Sequence, residues 1–417
     1  MEIPAAVSGR PVTPRGVHFQ PSDYHGGWCS SSAPWPRAYW LDLLQAMGIS
    51  WAVLLYSGRS ALELFDGKEV VRWLLDAGVI PVLRYHTTLL PRSFQGADIV
   101  RELADIYADY GLKPPVQLWN EPGNPREWVD SDVPAGWWGT FVNLWISAAQ
   151  QVVAAGGWPG FPDGPDYNYT ERHPFRDTPR WLWVNGHAWF GVHPYGLGRP
   201  LAYPTDAVSR LGTPITEAEY CAALDDLAGR PEWWDPPVAE MNALRQDPNW
   251  RNPDPVLWDG QRSNYTACWW SWRLVDYQAR DVLGQAVPLI ATEGGWTPKA
   301  RAGTGPGGQD RRWPLDTPKG IGRKTLAAFE EVAATPCFLA ACPWILATED
   351  MGGSGWPDDC WHGWAFSDII DQDTGEPYGR LKPVGRMLQA PPGGVGAAID
   401  RIVTAQGRLD GALAALQ

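Results

Sequence analysis

Gln117-Leu118-Trp119-Asn120-Glu121-Pro122-Gly123-Asn124-Pro125 is an apolar run that ends in an amide, a carboxylate and a proline. Residues 115–119 read as a short buried strand, because a continuous apolar stretch bounded by turn residues suits a parallel sheet covered on both faces. Asn-Glu-Pro then falls where that strand meets a loop. Far downstream, residues 287–296 read V-P-L-I-A-T-E-G-G-W and repeat the design, with Glu293 at the end of another apolar run. Two carboxylates at two strand ends, with helical patterns between them, set the frame for the rest of the chain.

Working outward, strand and helix patterns alternate. Strands are expected at 16–20, 50–56, 79–85, 115–119, 157–161, 188–193, 288–292 and 337–346. The helical spacings lie over 39–47, 69–77, 97–110, 140–155, 264–283, 322–334 and 382–388, and several end at a glycine suited to a left-handed C-terminal turn (Gly48, Gly78, Gly111, Gly156). Eight strands separated by helices, with short αβ turns and long βα loops, describe a (β/α)8 barrel over residues 1–390. An open doubly wound sheet is the alternative, but no glycine-rich phosphate turn follows the first strand. Residues 158–183 and 196–263 are long loops on the face that carries barrel active sites. After Pro391-Pro392-Gly393-Gly394, residues Ile399, Ile402, Gln406, Leu409, Leu413 and Leu416 form a short heptad-like seam. Residues 391–417 are therefore expected to be a hinge and a helix, either docked on the barrel or self-associating through 399–416.

Composition narrows the partners. The net charge of −13 and a pI near 5.0 argue against nucleic acid or an anionic membrane surface. No apolar run is long enough to span a bilayer. The opening M-E-I-P-A has neither a basic nor an apolar leader region, so no signal peptide is expected in this chain, and secreted or cell-surface action stays open. Six cysteines show no C-x-x-C pairing, which indicates neither a zinc knuckle nor a disulfide scaffold and leaves one or two disulfides open. Tryptophan stands out at 27 of 417 residues. Half of these rings are assigned to a large core and half to stacking on the apolar C–H faces of sugars.

Asn120-Glu121-Pro122 after the fourth strand, with Glu293 after the seventh, resembles clan A of the glycoside hydrolases, in particular the cellulase-like family 5 and xylosidase-like family 39. His193-Pro194-Tyr195 at the end of the sixth strand and Trp344 in the eighth add to the likeness, which covers roughly residues 14–390. One position departs from the pattern. Many clan members carry an arginine at the end of the second strand, where residues 52–58 read A-V-L-L-Y-S-G, and Arg84 of the third strand is expected to take that role.

The resemblance implies hydrolysis of β-linked oligo- or polysaccharide by double displacement, with endo action favoured by the long Trp-rich loops. It implies Glu121 as acid/base with a raised pKa, and Glu293 as nucleophile supported by Arg84 and Tyr195. Asn120 would bind the sugar 2-hydroxyl, His193 would sit beside the nucleophile, and Trp296 and Trp344 would be sugar platforms. His18 and His86 lie near strand ends and either line the glycone site or bond within the barrel. No cofactor or metal is expected. A metal-dependent hydrolase using His18, His86 and His193 is disfavoured because the first strand reads His18-Phe19-Gln20, with no second histidine at the usual spacing. A non-catalytic sugar-binding barrel and a transglycosylase remain the alternatives.

Overall fold

In the computed structural model, residues 3–19, 37–56, 67–85, 89–164, 169–224, 238–296, 310–314, 316, 318–343, 366–367, 380–381 and 383–389 are described. Eight parallel strands form one sheet in sequence order: β1 Gly16–His18, β2 Trp51–Tyr56, β3 Ile80–Tyr85, β4 Pro115–Leu118, β5 Trp158–Phe161, β6 Trp189–Val192, β7 Leu289–Ala291 and β8 Phe338–Ala341. The sheet closes on itself. Ala341 N–H donates to Pro14 O (3.0 Å), His18 N–H donates to Pro343 O (3.0 Å), and Arg15 pairs with Ala341 in a parallel bridge. This is the expected (β/α)8 barrel, reached for the reason given by the strands themselves. Runs such as I-P-V-L-R-Y in β3 are buried along their whole length, which only a sheet covered on both faces allows.

The surrounding helices are α1 Arg37–Ala46, α2 Gly67–Asp76, α3 Ala97–Ala108, α4 Trp137–Ala154, α5 Arg180–Val184, α6 Ser271–Leu283, α7 Pro318–Ala333 and α8 Pro383–Gln389. In α3 the buried residues Ile99, Val100, Leu103, Ile106 and Tyr107 fall at three- and four-residue intervals, the stripe that packs a helix on a sheet. No described helix is long and apolar enough to cross a membrane.

The fifth strand shows how the sequence makes room for its own bulk. W-P-G-F contains both residues that weaken strands, yet it pairs with β4 and β6. A Cβ on Gly160 would lie 2.4 Å from the Trp189 indole, so the glycine is what lets that ring lie against the backbone.

Three expectations change. The helix expected over 264–283 begins at Ser271, and the buried Trp269 and the half-buried Trp270 just before it donate their indole N–H groups to Glu331 of α7 (2.9 and 3.0 Å). The long loop after β6 contains helices Ala207–Leu211, Glu217–Leu224 and Val238–Gln246. Among the described residues the tryptophans are mainly structural. Trp40, Trp51, Trp145, Trp158, Trp183 and Trp189 are fully buried between strands and helices, whereas Trp181 and Trp250 are exposed. Cys221, Cys268, Cys337 and Cys342 are free thiols. The eighth strand beyond Pro343 and the tail over 391–417 lie outside the described residues.

Candidate active site

The mouth at the C-terminal ends of the strands gathers the charged residues. Past β4, Trp119 adopts a left-handed backbone (φ 63°), uncommon for a side-chain-bearing residue, and this turns the chain sharply into Asn120 and Glu121. The turn is then fixed from both sides. Asn124 caps a short helix, Pro125–Glu127, by accepting from Arg126 N–H, and the buried Trp128 donates its indole N–H to Pro122 O (2.8 Å). Past β7, Gly294 and Gly295 both have positive φ (117° and 87°). A Cβ on Gly294 would lie 2.9 Å from Pro194, so the glycines allow the segments after β6 and β7 to approach. They pair there, with Gly196 N–H donating to Gly295 O (2.9 Å), and this brings Tyr195 to Glu293.

The two glutamates meet across the mouth. One carboxylate oxygen of Glu121, a ring nitrogen of His193 and one carboxylate oxygen of Glu293 lie within 4.8 Å of one another. Arg84, buried on β3, forms an ion pair with Glu293 and donates its second terminal nitrogen to Asn120 Oδ1. Tyr195 O–H donates to Glu293 Oε2 (2.5 Å). His193 Nδ1 lies 2.9 Å from Glu121 Oε1 and 3.8 Å from Glu293 Oε2. His18 is fully buried, with Nε2 at 3.4 Å from Arg84, so it bonds within the barrel.

These contacts set the protonation states. Burial pushes the Glu121 carboxyl up, but the His193 hydrogen bond and charge, Asn124 and Arg84 together bring it down to about 2. The expected raised value is thereby reversed, because Arg84 already neutralises Glu293 and an imidazolium stands between the two acids. Glu293 is likewise opposed by burial, yet Arg84 and His193 hold it below the usual carboxylate range. Burial acts to lower His193, and Glu293, Glu121 and Asp163 outweigh it to raise the imidazole above its ordinary value. The resting site therefore stores its mobile proton on His193. Burial and the Glu293 charge keep the Tyr195 hydroxyl protonated.

Two acids escaped the sequence reading. Glu127 accepts from Asn120 Nδ2 (2.8 Å), completing a chain Glu293–Arg84–Asn120–Glu127, and its pKa is raised chiefly by burial. Asp163, half-buried beyond β5, accepts from His193 N–H (2.6 Å) and from Gly164 N–H (2.7 Å). The available signal was proximity to strand ends, which many surface acids share. Since the Glu127 carboxylate fixes the Asn120 amide, Glu127→Ala is expected to lower kcat/KM about tenfold, and Glu127→Gln, which keeps an acceptor, much less. Steady-state kinetics on the pair checks this, and equal losses would show that Asn120 does not need the contact.

Trp296 is corrected from sugar platform to packing residue. It is 2% exposed, stacks on Trp269 (centroids 5.5 Å apart) and donates its indole N–H to Arg199 O (2.8 Å). Its ring lies against Gly196, where a Cβ would sit 2.1 Å from the indole nitrogen. Trp344 and His86 lie outside the described residues. Glu121, His193 and Glu293 have the donor types for a metal ion, but Arg84 and the imidazolium already supply the positive charge that a cation would bring.

No family model matches the sequence, and no curated protein matches it. Among solved structures the chain is similar to a family 5 lichenase from Caldicellulosiruptor sp. F32, at 12% identity over 93% of this chain and 98% of that one, with a TM-score of 0.44. It is similar to a β-mannanase of Thermomonospora fusca in complex with mannotriose, at 14% identity over 93% and 92% of the two chains, with a TM-score of 0.38. A glycoside hydrolase of family 5 from Bifidobacterium longum subsp. infantis has 14% identity over 91% of this chain and 78% of that one, with a TM-score of 0.39. Identities this low leave the chemistry to be read from the site's own geometry.

Proposed function

We propose that this chain hydrolyses β-glycosides with retention of anomeric configuration, Glu293 acting as nucleophile and Glu121 as acid and then base. The observation that carries this reading is the approach of the two carboxylates to within 4.8 Å across the barrel mouth. Retaining enzymes place their pair about 5–5.5 Å apart, whereas inverting enzymes leave about 6.5–9.5 Å for a water molecule. The supporting contacts divide the labour. Arg84 and Tyr195 keep Glu293 charged and aimed, as a nucleophile requires. Glu121 shares a proton with His193, so a proton donor is at hand for the leaving oxygen.

In the first step Glu293 attacks the anomeric carbon, the glycosidic C–O bond breaks, and the leaving oxygen takes a proton from Glu121, which Glu121 receives from His193 Nδ1 across their hydrogen bond. Bonding of Glu293 removes one negative charge from the site, and Glu121 then accepts a proton from the incoming water, which displaces the sugar. Asn120, held between Arg84 and Glu127, remains the candidate partner for the sugar 2-hydroxyl.

The test is to incubate the protein with a panel of β-glucans, mannans, xylans, galactans and aryl β-glycosides, and to follow the freshly released anomer by proton NMR. Initial release of the β-anomer is expected, and initial release of the α-anomer would overturn double displacement. A sugar-binding protein would retain ligand without release, and a transglycosylase would give lengthened products.

A further inference from the structure

The turn over residues 196–199, directly after Tyr195, is held at every carbonyl. Leu197 and Gly198 both have left-handed backbones (φ 49° and 77°), so the chain reverses there. For a leucine that conformation persists only where the surroundings enforce it. Gly196 O accepts from Arg199 N–H (2.9 Å), and Leu197 O accepts from Asp310 N–H (3.1 Å). Gly198 O and Arg199 O both accept from the ammonium of Lys324 (3.2 and 3.1 Å). Arg199 O takes a second bond, from the Trp296 indole N–H (2.8 Å).

Lys324 matches this place in number of donors as well as in charge. An ammonium offers three N–H groups. Here they meet three oxygens: Gly198 O, Arg199 O and the carboxylate of Asp316, its ion-pair partner. The Asp316 side chain is buried, and burial pushes its carboxyl up while Lys324 opposes that shift. Lys324 Nζ also lies 5.8 Å from the centroid of the Trp296 ring, within cation–π reach. Its stem rises from α7, whose Ile321, Ala328, Phe329 and Val332 are buried in the barrel core. One side chain on a fixed helix thus grips two segments. It holds the turn after Tyr195 by its carbonyls, and the segment after Glu293 by Trp296.

We infer that Lys324 is a positioning residue for the nucleophile: by fixing the 196–199 turn against Trp296, it sets the Tyr195 hydroxyl on Glu293. The inference rests on the retaining-glycosidase reading. Tyr195 pairs with Gly295 in a parallel bridge, so the two segments move as one where they are tied. The Tyr195–Glu293 hydrogen bond is short at 2.5 Å, and a small shift of either segment lengthens it. The Lys324 ammonium is committed to the turn and to Asp316, so it acts on Glu293 through the backbone.

The experiment uses the whole chain and the β-glycosyl fluorides of glucose, mannose, galactose and xylose, taking forward the one that the wild type turns over fastest. Fluoride departs with little need of a proton, so its turnover reports Glu293 and the groups that aim it. Tyr195→Phe should lower kcat about 10- to 100-fold, the size expected for one hydrogen bond to a charged group. Lys324→Met keeps the aliphatic stem and should lower kcat about tenfold with KM within about twofold, because a misaimed nucleophile is felt in the transition state. Lys324→Met added to Tyr195→Phe should cost no more than about twofold further, since no hydrogen bond is left to set. Loss of Lys324 leaves the Asp316 carboxyl without its counter-charge, so the same cycle is run with Lys324→Met/Asp316→Asn. Removal of both charges should return Tm toward wild type while kcat per folded chain stays low. Losses that multiply between positions 324 and 195, or a kcat that recovers together with Tm, would overturn the positioning role and leave the glycosidase reading standing. No turnover of any fluoride by the wild type would overturn both.

Discussion

Glu293→Ala is expected to lower kcat about 10⁵-fold or more, the scale seen when an enzyme loses its nucleophile. The loss has two physical parts. The attacking oxygen is gone, and Arg84, with a side chain only 3% exposed, loses its counter-charge. An unpaired buried guanidinium costs about 3–5 kcal/mol of stability, so the alanine variant should also melt at a lower temperature. Glu293→Gln separates the two effects, because its amide oxygen still accepts from Arg84 while its nucleophilicity is lost. It should be as inactive as the alanine variant and closer to wild type in Tm. Azide added to the alanine variant should attack an activated β-glycoside from the vacated face and give the α-glycosyl azide, identified by NMR. Undiminished turnover in either variant would remove Glu293 from the mechanism.

The second large effect is expected at Glu121. Glu121→Gln should slow glycosides with poor leaving groups about 10³-fold and those with activated leaving groups far less, since only the former need the proton. Equal slowing of both would argue against an acid role. The pH profile carries the sign of the Glu121–His193 pairing. The carboxyl is held near 2 and the imidazole is raised above its ordinary 6.5, so the pair keeps one shared proton throughout the range between and loses it as pH rises through the imidazole value. The alkaline limb of kcat/KM should therefore lie above 6.5. In His193→Ala the proton has only the carboxyl to occupy, and the limb should move toward lower pH. An unmoved limb would mean that His193 does not store the catalytic proton.

Much of this was legible in the sequence, for identifiable reasons. Parallel strands buried on both faces read as apolar runs, so all eight were found, including W-P-G-F, where proline and glycine argued the other way. The glutamates were visible because each directly follows such a run, and Arg84 because the position in the second strand held no arginine. The remainder depended on packing between distant segments. Whether the Trp296 ring faces a substrate or the core is decided by Gly196 and Trp269, which no local pattern couples to it. The protonation of Glu121 depends on an imidazole supplied by β6. The helices after β6 were hidden in a stretch read as a loop, since the apolar residues of Glu217–Leu224 run together over its second half and do not mark one helical face.

The manner of barrel closure bears on how the chain is made. Every strand pairs with its neighbour in sequence except at one seam, where Ala341 meets Pro14 and His18 meets Pro343. A ribosome extending the chain at about 5–20 residues per second reaches the eighth strand on the order of tens of seconds after the first. Throughout that interval the nascent protein is a growing sheet with two open edges, the form most prone to pair with a neighbouring chain. Expression at low temperature or with chaperones should favour soluble protein, and truncation anywhere before β8 should give a product that aggregates rather than a smaller enzyme.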